Sequence, residues 1–166
     1  MKNIFLLGLL IFLLPQRNAF AAEDTAGRFG IGAVLGEPTA LTVEAELQPR
    51  QSIDGAFGYT WGHSILLYTD YLFHFPGTFS SDSDFINQLT PYVGIGPELR
   101  FYSTGHHAII SNNDAGTVFS ARVPLGLGWN IPKSSVKLYV EIAPVLDLAP
   151  GLDANLEAGI GARFYF

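Results

Sequence analysis

The decisive stretch is Leu156–Phe166, LEAGIGARFYF. Taken at alternate positions, it places Leu156, Ala158, Ile160, Ala162, Phe164 and Phe166 on one face. The other face carries Glu157, Gly159, Gly161, Arg163 and Tyr165. A period of two with one greasy face is the mark of a β-strand that meets an apolar medium on one side only. What that medium is, and why an ion pair and two glycines should share the opposite face, decides how the rest of the chain is read.

The same period recurs upstream, and the spacing of amphipathic helices is almost absent. Eight strands are predicted, over Arg28–Leu35, Ala40–Leu47, Ser52–Trp61, Ile65–His74, Thr90–Tyr102, Val118–Trp129, Val136–Leu146 and Leu156–Phe166. Turn residues separate them at Gly36–Thr39, Gln48–Gln51, Gly62–Ser64 and Asn130–Ser135. Longer breaks fall at Phe75–Leu89, Ser103–Thr117 and Asp147–Asn155. Eight antiparallel strands can close into an up-and-down barrel whose lumen side chains just fill, and closure removes the exposed edges.

Alternation alone leaves open a soluble, lipocalin-like periplasmic barrel with an apolar ligand inside and a membrane barrel with lipid outside. The polar face arbitrates. It reads Gly94, Gly96, Glu98, Arg100, Tyr102 in the fifth strand and Ser120, Arg122, Pro124, Gly126, Gly128 in the sixth. A water-facing strand would carry Lys, Thr and Glu, and glycine there weakens it. Glycines beside a few large charged residues suit a narrow lumen. The opposite face, including Val93, Ile95, Leu99, Phe119, Leu125, Leu138, Val140 and Ile142, is free of charge, as a lipid belt requires. Aromatics near strand ends (Phe57, Tyr59, Trp61, Phe73, Tyr92, Trp129, Phe166) match interfacial girdles.

The N-terminus agrees. Lys2, the apolar run Ile4–Leu14 and the small residues of Ala19–Ala21 form a signal-peptide pattern, with cleavage expected after Ala21. The run is about half the ~20 residues of a spanning helix. The expectation is a signal peptide over 1–21 and a single barrel domain over 22–166. Beyond Ala21 two Lys and five Arg face all fifteen acids, a charge of about −8, which disfavours phosphate and nucleic-acid partners. There is no cysteine, so disulfides and thiolate metal sites are excluded.

The chain resembles, over this whole domain, the small eight-stranded outer-membrane barrels of Gram-negative bacteria, of the OmpA/OmpX type. The terminal GARFYF carries the resemblance, with GEPTALTVEAEL, ARVPLGLGW and EIAPVLDLAPG similar to stretches in an uncharacterised group of that architecture. The resemblance implies Sec-type export, contact with outer-membrane lipid and lipopolysaccharide, and insertion by the barrel-assembly machinery. That machinery would read Phe166, Phe164, Ala162 and Ile160. It also implies periplasmic termini, which would leave the long Phe75–Leu89 break on a side where the family has short turns.

The inward face is expected to collect an ion-pair network of Arg28, Glu44, Asp54, Asp70, Glu98, Arg100, Arg122, Glu141, Glu157 and Arg163, with Glu46 and Asp147 nearby. Two readings follow: an ion-conducting or proton-linked lumen, and a salt-bridged core that plugs the barrel. The small bore of eight strands favours the second. His106 and His107 with Ser103, Ser111 and Asp114 supply the residue types of a nucleophile, base and orienter, as in a lipid-modifying outer-membrane enzyme. Composition without geometry does not make a triad, so no catalytic residue is assigned. The same pair with His63 or His74 is weak evidence for a metal, and no metal or cofactor is assigned. The role expected is structural or surface-interacting.

Overall fold

Apolar residues at every second position, punctuated by Pro, Gly and Asn, can satisfy their backbone only by pairing with neighbouring strands. The computed structural model describes residues 28–61, 64–102 and 116–166, and there the chain does this throughout. The strands are β1 (Phe29–Glu37), β2 (Thr39–Gln48), β3 (Gln51–Tyr59), β4 (Ser64–His74), β5 (Leu89–Tyr102), β6 (Thr117–Arg122), β7 (Leu125–Asn130), β8 (Val136–Ala149) and β9 (Asp153–Tyr165). A four-residue helical turn, α1 (Asp84–Asn87), lies between β4 and β5. The expected signal segment lies outside the described residues, as do His63, Ser103, His106, His107, Ser111 and Asp114.

Every pairing is antiparallel, each strand pairs with its sequence neighbours except that β6 and β7 do not pair with each other, and β1 pairs with β9 to close the ring. The closing register runs from Gly30 opposite Tyr165 to Glu37 opposite Ala158. Phe166 extends it, its N–H donating to the Phe29 carbonyl at 3.1 Å. The opening stretch is therefore the last stave of a closed barrel of eight.

Nine segments make eight staves because β6 and β7 are halves of one. Val118–Trp129 was expected to be continuous, yet it breaks at Val123–Pro124. Pro124 points inward, is fully buried and has no N–H to give the ladder. The neighbours bridge the break: Gly94 N–H donates to the Pro124 carbonyl at 2.8 Å, and Val123 N–H to the Pro144 carbonyl at 3.0 Å. A second departure is the last hairpin. β8 and β9 extend to Asp147 opposite Asp153, so the expected loop shrinks to its Pro–Gly tip. Alternation continues there, with Val145 and Asp147 inward and Leu146 and Leu148 outward, although the composition reads as a loop.

Radial polarity is uniform. Outward residues include Leu41, Phe57, Leu67, Ile95, Val140, Ile142, Leu156, Ile160 and Phe164. Inward and buried lie Glu44, Asp54, Asp70, Glu98, Arg122 and Arg163. Glycine permits the inner packing. A Cβ on Gly161 would sit 2.2 Å from the Tyr139 ring, and one on Gly126 would sit 2.2 Å from the Tyr92 ring. The rings of Tyr139 and Tyr92 thus each lie against a bare backbone on the neighbouring strand.

Candidate functional site

The lumen holds the chemistry, and strand parity supplies it. Acids stand on four consecutive strands, Glu44 on β2, Asp54 on β3, Asp70 on β4 and Glu98 on β5, with Glu44, Asp54 and Asp70 directly opposed across the ladder. Like charges so placed repel. They are tolerated because guanidinium and ammonium groups reach them from the opposite wall.

Arg163 on β9 pairs with Glu44 and with Asp54 (2.6 Å), while its Nε donates to the Thr42 hydroxyl at 3.1 Å. Lys137 on β8 donates to both Glu44 oxygens at 3.1 and 3.2 Å. Glu44 also accepts from the Ser52 hydroxyl at 2.9 Å and the Tyr165 hydroxyl at 2.7 Å. His74 completes this cluster, its Nε2 lying 2.8 Å from Ser52 Oγ and 3.4 Å from Glu44.

Arg122 on β6 organises the second cluster. It binds Asp70, Glu141 at 2.5 Å and Glu157 at 3.0 Å, with Glu98 at 3.9 Å. Its guanidinium carbon lies 3.9 Å over the Tyr68 ring, a cation–π stack in a nearly dry site. Tyr92 ties the clusters together: its hydroxyl donates to Glu141 at 2.7 Å and its ring lies 5.6 Å from that of His74. Toward the Pro150 end, Arg100 binds Glu98 at 2.9 Å and also Asp147, which accepts from Ser120 at 2.7 Å.

Nine of the ten residues expected in the network are thus together: Glu44, Asp54, Asp70, Glu98, Arg100, Arg122, Glu141, Glu157 and Arg163. Arg28 is not among them. It is exposed just before β1, where its carbonyl accepts from Glu46 N–H at 2.8 Å, so its register places it at the rim. Glu46 is exposed there as well. Tyr92, expected in the aromatic girdle, is buried in the lumen because it shares parity with Gly94 and Glu98. Lys137, Tyr68 and Tyr139 were not anticipated, whereas Tyr165 lies buried on the face it shares with Glu157 and Arg163. Parity held the signal for Lys137, since it alternates in step with Tyr139 and Glu141.

Among the described residues the buried set holds seven carboxylates against four fixed cations. One oxygen each of Asp54 and Asp70 has no hydrogen-bond partner among them, and Glu98 is held by its ion contacts with Arg100 and Arg122 without a well-aligned hydrogen bond. The space left between Tyr68, Arg122, Glu141 and Glu157 is about 10 Å³, room for a single water. No group of three or more metal-ligating side chains in metal-holding geometry occurs among the described residues. The four residues expected to form the assembly signal, Ile160, Ala162, Phe164 and Phe166, all point outward.

This ring of eight antiparallel staves, closed first to last, has a solved counterpart in fold. It matches the crystal structure of the N-terminal β-barrel domain of Pseudomonas aeruginosa OprF with a TM-score of 0.64 at 18% identity. The chain resembles the OprF barrel. The match covers 83% of this chain and 96% of that one, so the likeness to OprF is one of whole fold. It bears on the eight-stranded architecture and not on any narrower group. No family model matches the chain, and no curated protein matches it in sequence.

Proposed function

We propose that this chain is an integral outer-membrane β-barrel protein with a structural or surface-interaction role and no catalytic one. In this reading residues 1–21 direct Sec-type export and are removed after Ala21. The barrel-assembly machinery inserts the barrel, engaging Ile160, Ala162, Phe164 and Phe166. The mature chain, 22–166, then spans the bilayer in contact with lipid and lipopolysaccharide.

One observation carries the reading: a closed wall whose leucines, isoleucines and phenylalanines face outward around an ion-paired interior. In water such a belt would be a contiguous apolar patch far beyond the few hundred Å² that soluble monomers tolerate. In hydrocarbon it is required, and the closed ladder leaves no strand edge unpaired. The buried, ion-paired side chains that meet across the lumen favour a plug over a conduit. The likeness to the OprF barrel supports the architecture.

Fractionation of native cells tests the reading. The protein should need detergent for extraction and run at different mobilities boiled and unboiled. Release by osmotic shock in detergent-free soluble form would overturn it.

A further inference from the structure

The connection between β4 and β5 is long, and it lies at the barrel end where β1 starts and β9 finishes. It is internally braced. Ser81 N–H donates to Asn87 Oδ1 at 2.8 Å, and Asn87 Nδ2 donates back to the Ser81 carbonyl at 2.8 Å. The Thr78 hydroxyl closes the preceding turn on the Phe75 carbonyl at 2.6 Å. This brace holds α1, which buries none of its residues and is too short to be stable by itself. Its apolar side chains, Phe85 and Ile86, are 51% and 38% exposed.

The segment folds against the outside of the wall. Phe85 packs edge-on to Trp129 with ring centroids 5.1 Å apart, and the Trp129 indole N–H donates to Gln88 Oε1 at 3.1 Å. Trp129 alternates with the outward-facing Leu125 and Leu127 on β7 and lies opposite Leu89 of β5. At the same end the outward wall carries the Tyr71–Phe73 pair and the cluster of Phe29, Phe164 and Phe166. Phe85 and Ile86 therefore continue the aromatic rim of the belt.

We infer that this connection is an interfacial anchor. α1 lies in the headgroup layer of the leaflet nearest the chain termini, Phe85 and Ile86 at the acyl boundary, Asp82 and Asp84 toward water. The inference rests on the membrane-barrel reading. Charge selects the lipid: from Phe75 to Gln88 the segment has two Asp and no Lys or Arg. It therefore suits zwitterionic phospholipid and is repelled by an anionic surface, the reverse of a polybasic lipid-binding segment.

The absence of native cysteine allows single labels. Ile86→Cys, Asp82→Cys and, as a belt control, Ile160→Cys are each labelled with a small apolar fluorophore. Each is refolded into phosphatidylcholine vesicles containing lipid brominated near the headgroup or at mid-chain. The label at 86 should lose at least half its fluorescence to near-headgroup bromines, that at 82 little, and that at 160 most to mid-chain bromines. Replacing a third of the lipid by phosphatidylglycerol should weaken quenching at 86 at least twofold and leave 160 unchanged. Quenching at 160 without quenching at 86 overturns the anchor and leaves the membrane barrel standing. Quenching at neither position overturns both.

Discussion

Arg163 is the most informative residue to remove. It is buried, binds Glu44 and Asp54 together, and stacks 4.4 Å over the Tyr139 ring. Arg163→Met keeps the apolar stem and deletes the charge. The two carboxylates then fare differently. Glu44 retains Lys137 at 3.1 Å and the hydroxyls of Ser52 and Tyr165. Asp54 loses its one ion pair among the described residues, and its other oxygen already has no partner there. Stranding one member of a buried pair costs about 3–5 kcal/mol. With a urea dependence of roughly 2 kcal/mol per molar, the unfolding midpoint in vesicles should fall by about 2 M. Adding Asp54→Asn should recover more than half of that loss. Adding Glu44→Gln should recover little, since Lys137 then loses its own partner. A single-variant shift below about 0.5 M would refute the reasoning, being under a third of the smallest expected effect. So would equal rescue by the two second substitutions.

The wall makes further predictions. Ile160, 66% exposed at the middle of β9, should tolerate Leu, whereas Ile160→Arg should cost about 2–4 kcal/mol in the same titration; a neutral result would contradict a lipid-facing position. Gly161→Val should drive a side chain into the Tyr139 ring and abolish the fast-migrating unboiled gel form, and Tyr139→Ala in that background should restore part of it. Phe166→Ser removes ring contacts to Phe29 and Phe164 at the rim, so refolding in detergent should stay near wild type while the amount reaching the outer membrane of cells falls several-fold. Equal loss in both assays would make Phe166 a packing residue only. In planar bilayers the native barrel should show no steady conductance, given its filled lumen; a persistent open level would contradict the plug.

Strand positions and faces were legible because parity is a local property that each stave repeats. Glu157, Gly159, Gly161 and Arg163 alternate inward, and knowing nothing else one places them in the lumen. What escaped depends on the third dimension. Pro124 fits the alternation, so the composition gave no sign that its missing N–H would split a stave. Lys137 looks like an edge residue until the register places it beside Arg163 and within reach of Glu44 on the far wall. The pairing of Arg122 with Asp70, Glu141 and Glu157 joins four strands, and no single-strand pattern encodes which acid an arginine will meet. The hairpin tip at Pro150 was read as loop because Pro, Asp and Gly dominate it, though its side chains still alternate.

The polar lumen also resolves a question that the belt leaves open. In the membrane setting proposed above, acyl chains are about as apolar as leucine, so the outward face would set the depth of the barrel but not which residue pairs with which. The backbone ladder is equally indifferent. A slip of one residue would turn every face inside out and is forbidden on that ground alone. A slip of two keeps the faces, and at the β1–β9 seam, where no hairpin turn sets the register, the interior opposes it. Two residues correspond to a displacement of about 7 Å along a strand. Such a slip at the β1–β9 seam would carry Arg163 out of reach of Glu44 and Asp54, leaving Arg163 and Asp54 buried without their ion-pair partners. The same displacement of β6 would carry Arg122 away from Asp70, Glu141 and Glu157. Because each arginine spans several strands, the cost of a local error is felt on distant staves. Buried ion pairs add little net stability over an apolar filling of the same volume. In this barrel they penalise a two-residue slip at the β1–β9 seam, where no hairpin turn fixes the register.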